Sequence, residues 1–197
     1  MTNIQLSSES NEHYTPAEIV EAARRTMGSI DLDPASCEFA NRTVKAAKFY
    51  SAKSGKSGID AVWEGNVFLN PPGGSLRVAR DDGIETARLK TALSHVWSTK
   101  SMAVAWWRKL CDEYKCGNVR SAVFVGFTLE ILCTSQGSSN WPSCGHMPLC
   151  FVENRIKFTK PDGSSGDRPT HSNVIVYVGQ NSEAFAREFS KFGIVRI

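Results

Sequence analysis

The residues of this chain best suited to chemistry are Asn70, Pro71 and Pro72, which cut off the apolar run Val67-Phe68-Leu69 and are followed by Gly73 and Gly74. The run reads as a buried strand ending in a rigid turn. Each proline holds φ at about −65° and has no N–H, so the carbonyls of the turn are fixed as acceptors facing a cleft. A planar exocyclic amine, such as the 6-amino group of adenine, matches them: one hydrogen goes to the Asn70 side-chain oxygen and the other to the Pro71 carbonyl. The nitrogen lone pair is then available for in-line attack on a methyl sulfonium, with positioning and fixed dipoles supplying the rate. Asn and Pro are also common turn formers, so a turn without chemistry is the competing reading.

Two further stretches offer groups for a ligand. Thr15-Pro16-Ala17-Glu18 has the form of a capping box, with Thr15 as N-cap, Pro16 at the first helical position and Glu18 at the third, ahead of apolar Ile19, Val20, Ala22, Ala23 and Met27. The start of such a helix seats a carboxylate like that of an amino-acid-like ligand, or it is simply a well-capped surface helix. Ser29 to Ser36 reads as a short strand delivering Asp33 to a loop, where an acid holds a ligand ammonium or hydroxyl; Asp33-Pro34 is equally an ordinary strand stop. Gly55-Lys56-Ser57 is not a phosphate loop, because Tyr50 stands where the first glycine is required and a strand follows.

These residues need a sheet to carry them. Helices are predicted from Thr15 to about Gly28, from Ser101 to Cys116 and from Glu183 to Lys191, with Trp106 and Trp107 as core. Strands are predicted at 29–36, Val44 to Tyr50, into Asn70, at Ala122 to Phe127 as a central fifth strand, at Leu149 to Val152 with Arg155 to Phe158, at Asn173 to Val178, and at Ile194 to Ile197. Cys133 to Pro148 reads as a loop around Trp141, and a hairpin loop before Asn173 carries Lys160, Asp162, Asp167 and Arg168. The first dozen residues read as loose, and the mildly basic stretch 75–100 as an insertion, either a DNA-contacting arm or a solvated helix. The alternation predicts one α/β domain of three layers, with a mixed sheet and a late antiparallel hairpin.

Composition sets outer bounds. A chain of 197 residues, 41% hydrophobic and 22% charged, is one globular domain with room for a full core. A formal charge of +3 permits an acidic partner such as DNA without requiring one. No signal peptide or membrane-length apolar run is present, so a cytoplasmic location is expected. The six cysteines form no Cys-x-x-Cys pair; Cys133, Cys144, His146 and Cys150 are the nearest approach to a metal cluster, and free thiols without metal are the expectation.

Taken together, Tyr14-Thr15-Pro16, Asp31-Leu32-Asp33-Pro34-Ala35-Ser36, Asp60 and Trp63, Asn70-Pro71-Pro72, Arg155-Ile156-Lys157-Phe158 and His171-Ser172-Asn173 resemble the phage-type DNA N-6-adenine methyltransferase family, over roughly residues 13 to 179. The resemblance implies a Rossmann-like methyltransferase sheet, S-adenosylmethionine as cofactor and DNA as partner, in a bacterial or phage-infected cell. It places Tyr14, Thr15 and Pro16 at the cofactor's methionine end, Asp33, Pro34, Ala35 and Ser36 in the first cofactor loop, Asp60 near its adenine ring, and Asn70, Pro71 and Pro72 at the reacting amine. Two departures stand out: Asp-Pro-Ala-Ser replaces the usual glycine-rich loop, and Gly73 replaces the aromatic that usually follows Asn-Pro-Pro. Gly73, Trp141 as the substitute stacking group and Arg168 are the candidate substrate contacts, with a loop anchor packed on the core as the competing reading of Trp141. Methylation of cytosine N-4, RNA or a protein amide, and a nucleic-acid-binding relative that has lost catalysis, are the alternatives.

Overall fold

Apolar residues alternate along each long strand, and the two sets they form are covered by different helices. The computed structural model describes residues 14–51, 58–72, 101–127, 129, 131–134, 142–159 and 172–197. Its strands are β1 (Leu32–Asp33), β2 (Lys48–Phe49), β3 (Gly65–Leu69), β4 (Val119–Gly126), β5 (Leu149–Val152), β6 (Val174–Val178) and β7 (Gly193–Arg196). They form one seven-stranded sheet in the order β2-β1-β3-β4-β6-β5-β7. β2, β1, β3 and β4 run parallel, while β6 is antiparallel to both β4 and β5, and β7 to β5. The sheet is therefore mixed, with the late antiparallel pair expected from the sequence.

Five helices are described: α1 (Ala17–Met27), α2 (Glu38–Val44), α3 (Met102–Lys115), α4 (Ile131–Thr134) and α5 (Ser182–Phe189). Val67, Leu69, Phe124, Val174 and Val176 pack on one face against Val104, Trp106, Trp107 and Leu110 of α3. Phe68, Val123, Val125, Ile175 and Tyr177 pack on the other against Ile19, Val20 and Ala23 of α1 and Phe185 and Phe189 of α5. A period-two strand buried on both sides needs helices on both sides, which is the three-layer arrangement. Trp106 and Trp107 are core, as predicted, at 5% and 1% exposure.

The structure corrects several boundaries. α1 starts after Pro16, whose ψ of 143° is extended and whose carbonyl accepts from the Ile19 and Val20 N–H groups at 3.1 and 3.2 Å. Thr15 is not the N-cap, because Tyr14 is drawn into a two-bond bridge with Thr159, 3.0 Å each way, which keeps the entry to the helix extended. Gly28 does end α1, at φ 86° with its N–H on the Arg24 carbonyl. Val44 belongs to α2 rather than to a strand: the Cys37 thiol caps that helix by accepting from the Ala40 N–H, and Lys45 ends it in the left-handed region. The strand expected at Ala122 starts at Val119 and, among the described residues, is the fourth in order rather than the fifth. Arg155 to Phe158 forms no ladder, since the Ile156 N–H is taken by the Asn173 side chain at 3.0 Å. The expected loop from Cys133 to Pro148 contains the end of α4 and a 3-10 turn at Cys144–His146.

At the amino edge of the parallel strands, buried Asn66 clasps three elements. Its amide donates to the Met27 carbonyl (3.0 Å) and Ser29 Oγ (2.9 Å), and its oxygen accepts from Ser121 Oγ (2.9 Å) and Arg120 Nε (3.2 Å). Asp31 accepts from the Asn66 N–H, from Ser29 and from Arg120. Burial opposes the charge on Asp31, but these donors outweigh it and hold the carboxyl below its usual range. Gly65, at φ 78°, leaves no room there for a Cβ, which would lie 2.3 Å from Asp31 Oδ2. Asn66→Ala strands the buried Ser121 hydroxyl and the half-buried Met27 carbonyl and Ser29 hydroxyl, and should cost about 2–4 kcal/mol in denaturant unfolding. A loss below about 1 kcal/mol would mean water replaces the amide without penalty.

Candidate functional site

Four parallel strands bring their carboxyl ends to one edge of the sheet. β1 leads into α2, which packs with α1 on one face; the chain after β3 leads to α3, on the other face. The strand order therefore switches between β1 and β3, and in sheets of this kind ligands bind beyond the carboxyl ends of the strands at such a switch point. Asp33 ends β1, and Asn70 follows β3. Leu32 pairs with Val67, so Asp33 lies beside Phe68, and its Cα is about 8 Å from that of Asn70 by strand spacing and rise.

Asp33 is only 3% exposed and accepts the Ala35 N–H at 3.2 Å. Burial pushes its carboxyl up to about 7, with Ser36 and the Ala35 N–H opposing the rise. Ser36 Oγ is close enough to favour the ionised form but makes no full hydrogen bond. The loop is braced by Ser36 N–H on the Tyr50 carbonyl and Tyr50 N–H on the Asp33 carbonyl, both 3.0 Å. Pro34 is buried, and the turn carrying Asp60 is seated so close to it that a Cβ on Gly58 would lie 1.7 Å from the Pro34 carbonyl oxygen. Asp60 itself is exposed.

The Tyr14 to Pro16 segment meets the same edge. The Cys37 thiol donates to the Tyr14 hydroxyl at 3.5 Å, and the Tyr14 and Phe39 rings lie 4.9 Å apart. Thr15 is 6% exposed, and its hydroxyl has no partner. An unsatisfied buried hydroxyl costs about 1–3 kcal/mol, so the hydroxyls of Thr15 and of Ser36, the latter close to Asp33, gain when a polar ligand enters. The Ala17 and Glu18 N–H groups, at the start of α1, lie outside the helix's own ladder and add positive dipole character. Thr15→Val, which replaces the orphan hydroxyl with a methyl, should raise the unfolding free energy by about 1 kcal/mol without ligand. Calorimetric unfolding reads this, and a clear loss instead would show that the hydroxyl is satisfied.

Tyr14, Thr15, Pro16, Asp33, Pro34, Ala35, Ser36, Asp60, Asn70, Pro71 and Pro72 are thus gathered at one edge, Pro71 buried and Pro72 exposed. Gly73, Trp141 and Arg168 lie outside the described residues, as do the 75–100 stretch and the Lys56 loop. Cys37 and Phe39, which hold Tyr14, were not singled out from the sequence; the thiol cap gives no familiar signal. Cys144 and Cys150 are both fully buried but pack on opposite faces of the sheet, so they cannot converge on one ion. Burial pushes the Cys150 thiol up to about 11, and burial with Cys144 nearby pushes Cys111 higher, so neither is a ready nucleophile. Among the described residues no three His, Cys, Asp or Glu groups come together as a metal site, and no helix is long and apolar enough to cross a membrane.

No protein-family model matches the chain, no curated protein matches it, and no solved structure does. Any functional reading rests on the chemistry of this edge.

Proposed function

We propose that this protein is an S-adenosylmethionine-dependent DNA methyltransferase of Rossmann-like fold, acting on the 6-amino group of adenine in the cytoplasm. The observation that carries the reading is the placement of Asp33 and the Asn70-Pro71-Pro72 turn on neighbouring strands at the switch point of the sheet. The unpartnered buried hydroxyls of Thr15 and Ser36 fit the polar end of such a cofactor. In this reading Thr15 and the first turn of α1 take its carboxylate, and Asp33 with Ser36 takes its ammonium. Tyr14 and Pro16 wall that end, Pro34 and Ala35 form the loop floor, and Asp60 stands on the side of the adenosine.

The cofactor supplies a methyl carbon made electrophilic by its sulfonium. Asn70 Oδ1 and the Pro71 carbonyl accept the two amine hydrogens and turn the nitrogen lone pair out of the ring's conjugation. Pro72 keeps the turn rigid. With S-adenosylmethionine held there, the nitrogen would take the methyl group that the sulfonium supplies, and the surplus amine proton would pass from the Asn70 turn to water. Acceptors held by a rigid turn would need little reorganisation during reaction.

The test is incubation with labelled S-adenosylmethionine and unmethylated DNA, followed by mass spectrometry of the nucleosides. Label in N-6-methyladenine is the expected result. Label in N-4-methylcytosine would change the substrate, and cofactor binding without transfer to any nucleic acid would remove the DNA assignment.

A further inference from the structure

A nucleobase presented to Asn70 needs a flat apolar surface beside it, and the position directly after the Asn-Pro-Pro turn, Gly73, has no ring. The strand next to β3 carries one. Leu69 pairs with Phe124, so continuing the parallel register sets Asn70 beside Val125 and places Phe127, just past the end of β4, two residues further out at the lip. Phe127 packs with the α1-side cluster, as Phe68, Val123 and Val125 do, and Asn70 shares the register parity of Phe68.

Phe127 is half-buried, and the buried ring of Phe158 stacks on it at 6.1 Å and 28°. Asn173 pins both rings' segments: its amide donates to the Phe127 carbonyl at 3.0 Å and its oxygen accepts the Ile156 N–H at 3.0 Å. Thr159, next to Phe158, bridges to Tyr14, so the segment backing the ring pair is tied to the entry of α1. A braced, half-buried ring two register positions beyond the neighbour of Asn70 suits a planar heterocycle carrying an exocyclic amine.

We propose that Phe127 is the ring against which the target base stacks, with Phe158 as its backing. The proposal rests on the methyltransferase reading above. A base taken out of a duplex loses its stacking neighbours, and an aromatic face in the enzyme replaces them.

The experiment measures cofactor affinity by calorimetry, melting temperature, and methyl transfer to unmethylated DNA for the parent, Phe127→Leu and Phe127→Tyr. Phe127→Leu should transfer methyl roughly 5- to 150-fold more slowly, the scale of one base–aromatic stack, with cofactor affinity within about two-fold. Phe127→Tyr should restore most of the rate, which a purely space-filling role would not require. Phe127→Leu at the parent rate, in a parent that methylates DNA, overturns the stacking role and leaves the methyltransferase reading standing. A parent that neither binds the cofactor nor transfers methyl removes both. If Phe127→Leu does not fold, irradiation of the parent with DNA containing 8-azidoadenine decides: adducts on Phe127 or Phe158 support the role, and adducts confined to other residues overturn it.

Discussion

Asn70→Ala should reduce methyl transfer by at least about 100-fold, the scale for losing one preorganised hydrogen-bonding group at a reacting centre, and so abolish it in an ordinary assay. Cofactor affinity should stay within a few-fold, because the proposed function gives Asn70 the amine and leaves the cofactor to Thr15, Asp33 and Ser36. Such a loss in kcat without a loss in binding marks an interaction made in the transition state. The fold should survive, since Asn70 lies past the end of β3 and is half-buried, whereas Leu69 before it is fully buried. Asn70→Asp keeps an acceptor oxygen at the same place and should retain a large part of the activity. Asn70→Ala at near the parent rate would remove the assignment of this turn, whatever the cofactor results.

What was legible in the sequence depended on whether local chemistry decided the outcome. β3 and its turn stood out because prolines cannot continue a ladder, and α3 and α5 because their apolar residues recur at helical spacing. α2 was hidden by its cap, a thiol in place of a hydroxyl or carboxylate, and by Thr43 and Val44, which suit a strand. The Thr15 capping box failed for a tertiary reason: the bridge between Tyr14 and the distant Thr159 decides the backbone at the helix entry, and a local motif cannot report it. The same bridge leaves Thr15 Oγ1 buried and unpartnered, so the site is more suggestive in three dimensions than the helix-cap argument made it. Arg155 to Phe158 alternates like a strand, yet its ladder partner is replaced by one asparagine side chain. Phe127 escaped notice because the end of an apolar strand looks like core, and its position at the lip follows only from the register of β3 against β4.

Asp33 carries the second large effect, and it has opposite signs for stability and for binding. Its carboxyl is ordinarily ionised from about pH 4 upward in the unfolded chain, but burial delays ionisation in the folded protein to about 7. Between these values the folded state holds a proton that the unfolded state has released. Stability of the ligand-free protein should therefore fall as pH rises from about 4 to 7 and level off above, with a total penalty on the order of 4 kcal/mol. Asp33→Asn removes that charge and should flatten this part of the stability profile, leaving the variant the more stable of the two at pH 8. Under the proposed function cofactor binding runs the other way, since the ammonium would need the ionised acid. Affinity of the parent for S-adenosylmethionine should rise between pH 6 and 7.5 as Asp33 loses its proton, whereas Asp33→Asn should bind more weakly by roughly 1–3 kcal/mol at pH 7.5 and lose the pH dependence. Urea melts and calorimetric titrations across this range measure the two arms separately. A variant that is more stable and binds as tightly as the parent would make Asp33 a buried acid without a ligand and move the cofactor away from β1. One that is both less stable and weaker in binding would make it a structural residue of the loop. Only a gain in stability joined to a loss of affinity fits an acid kept buried and half-ionised for an incoming ammonium.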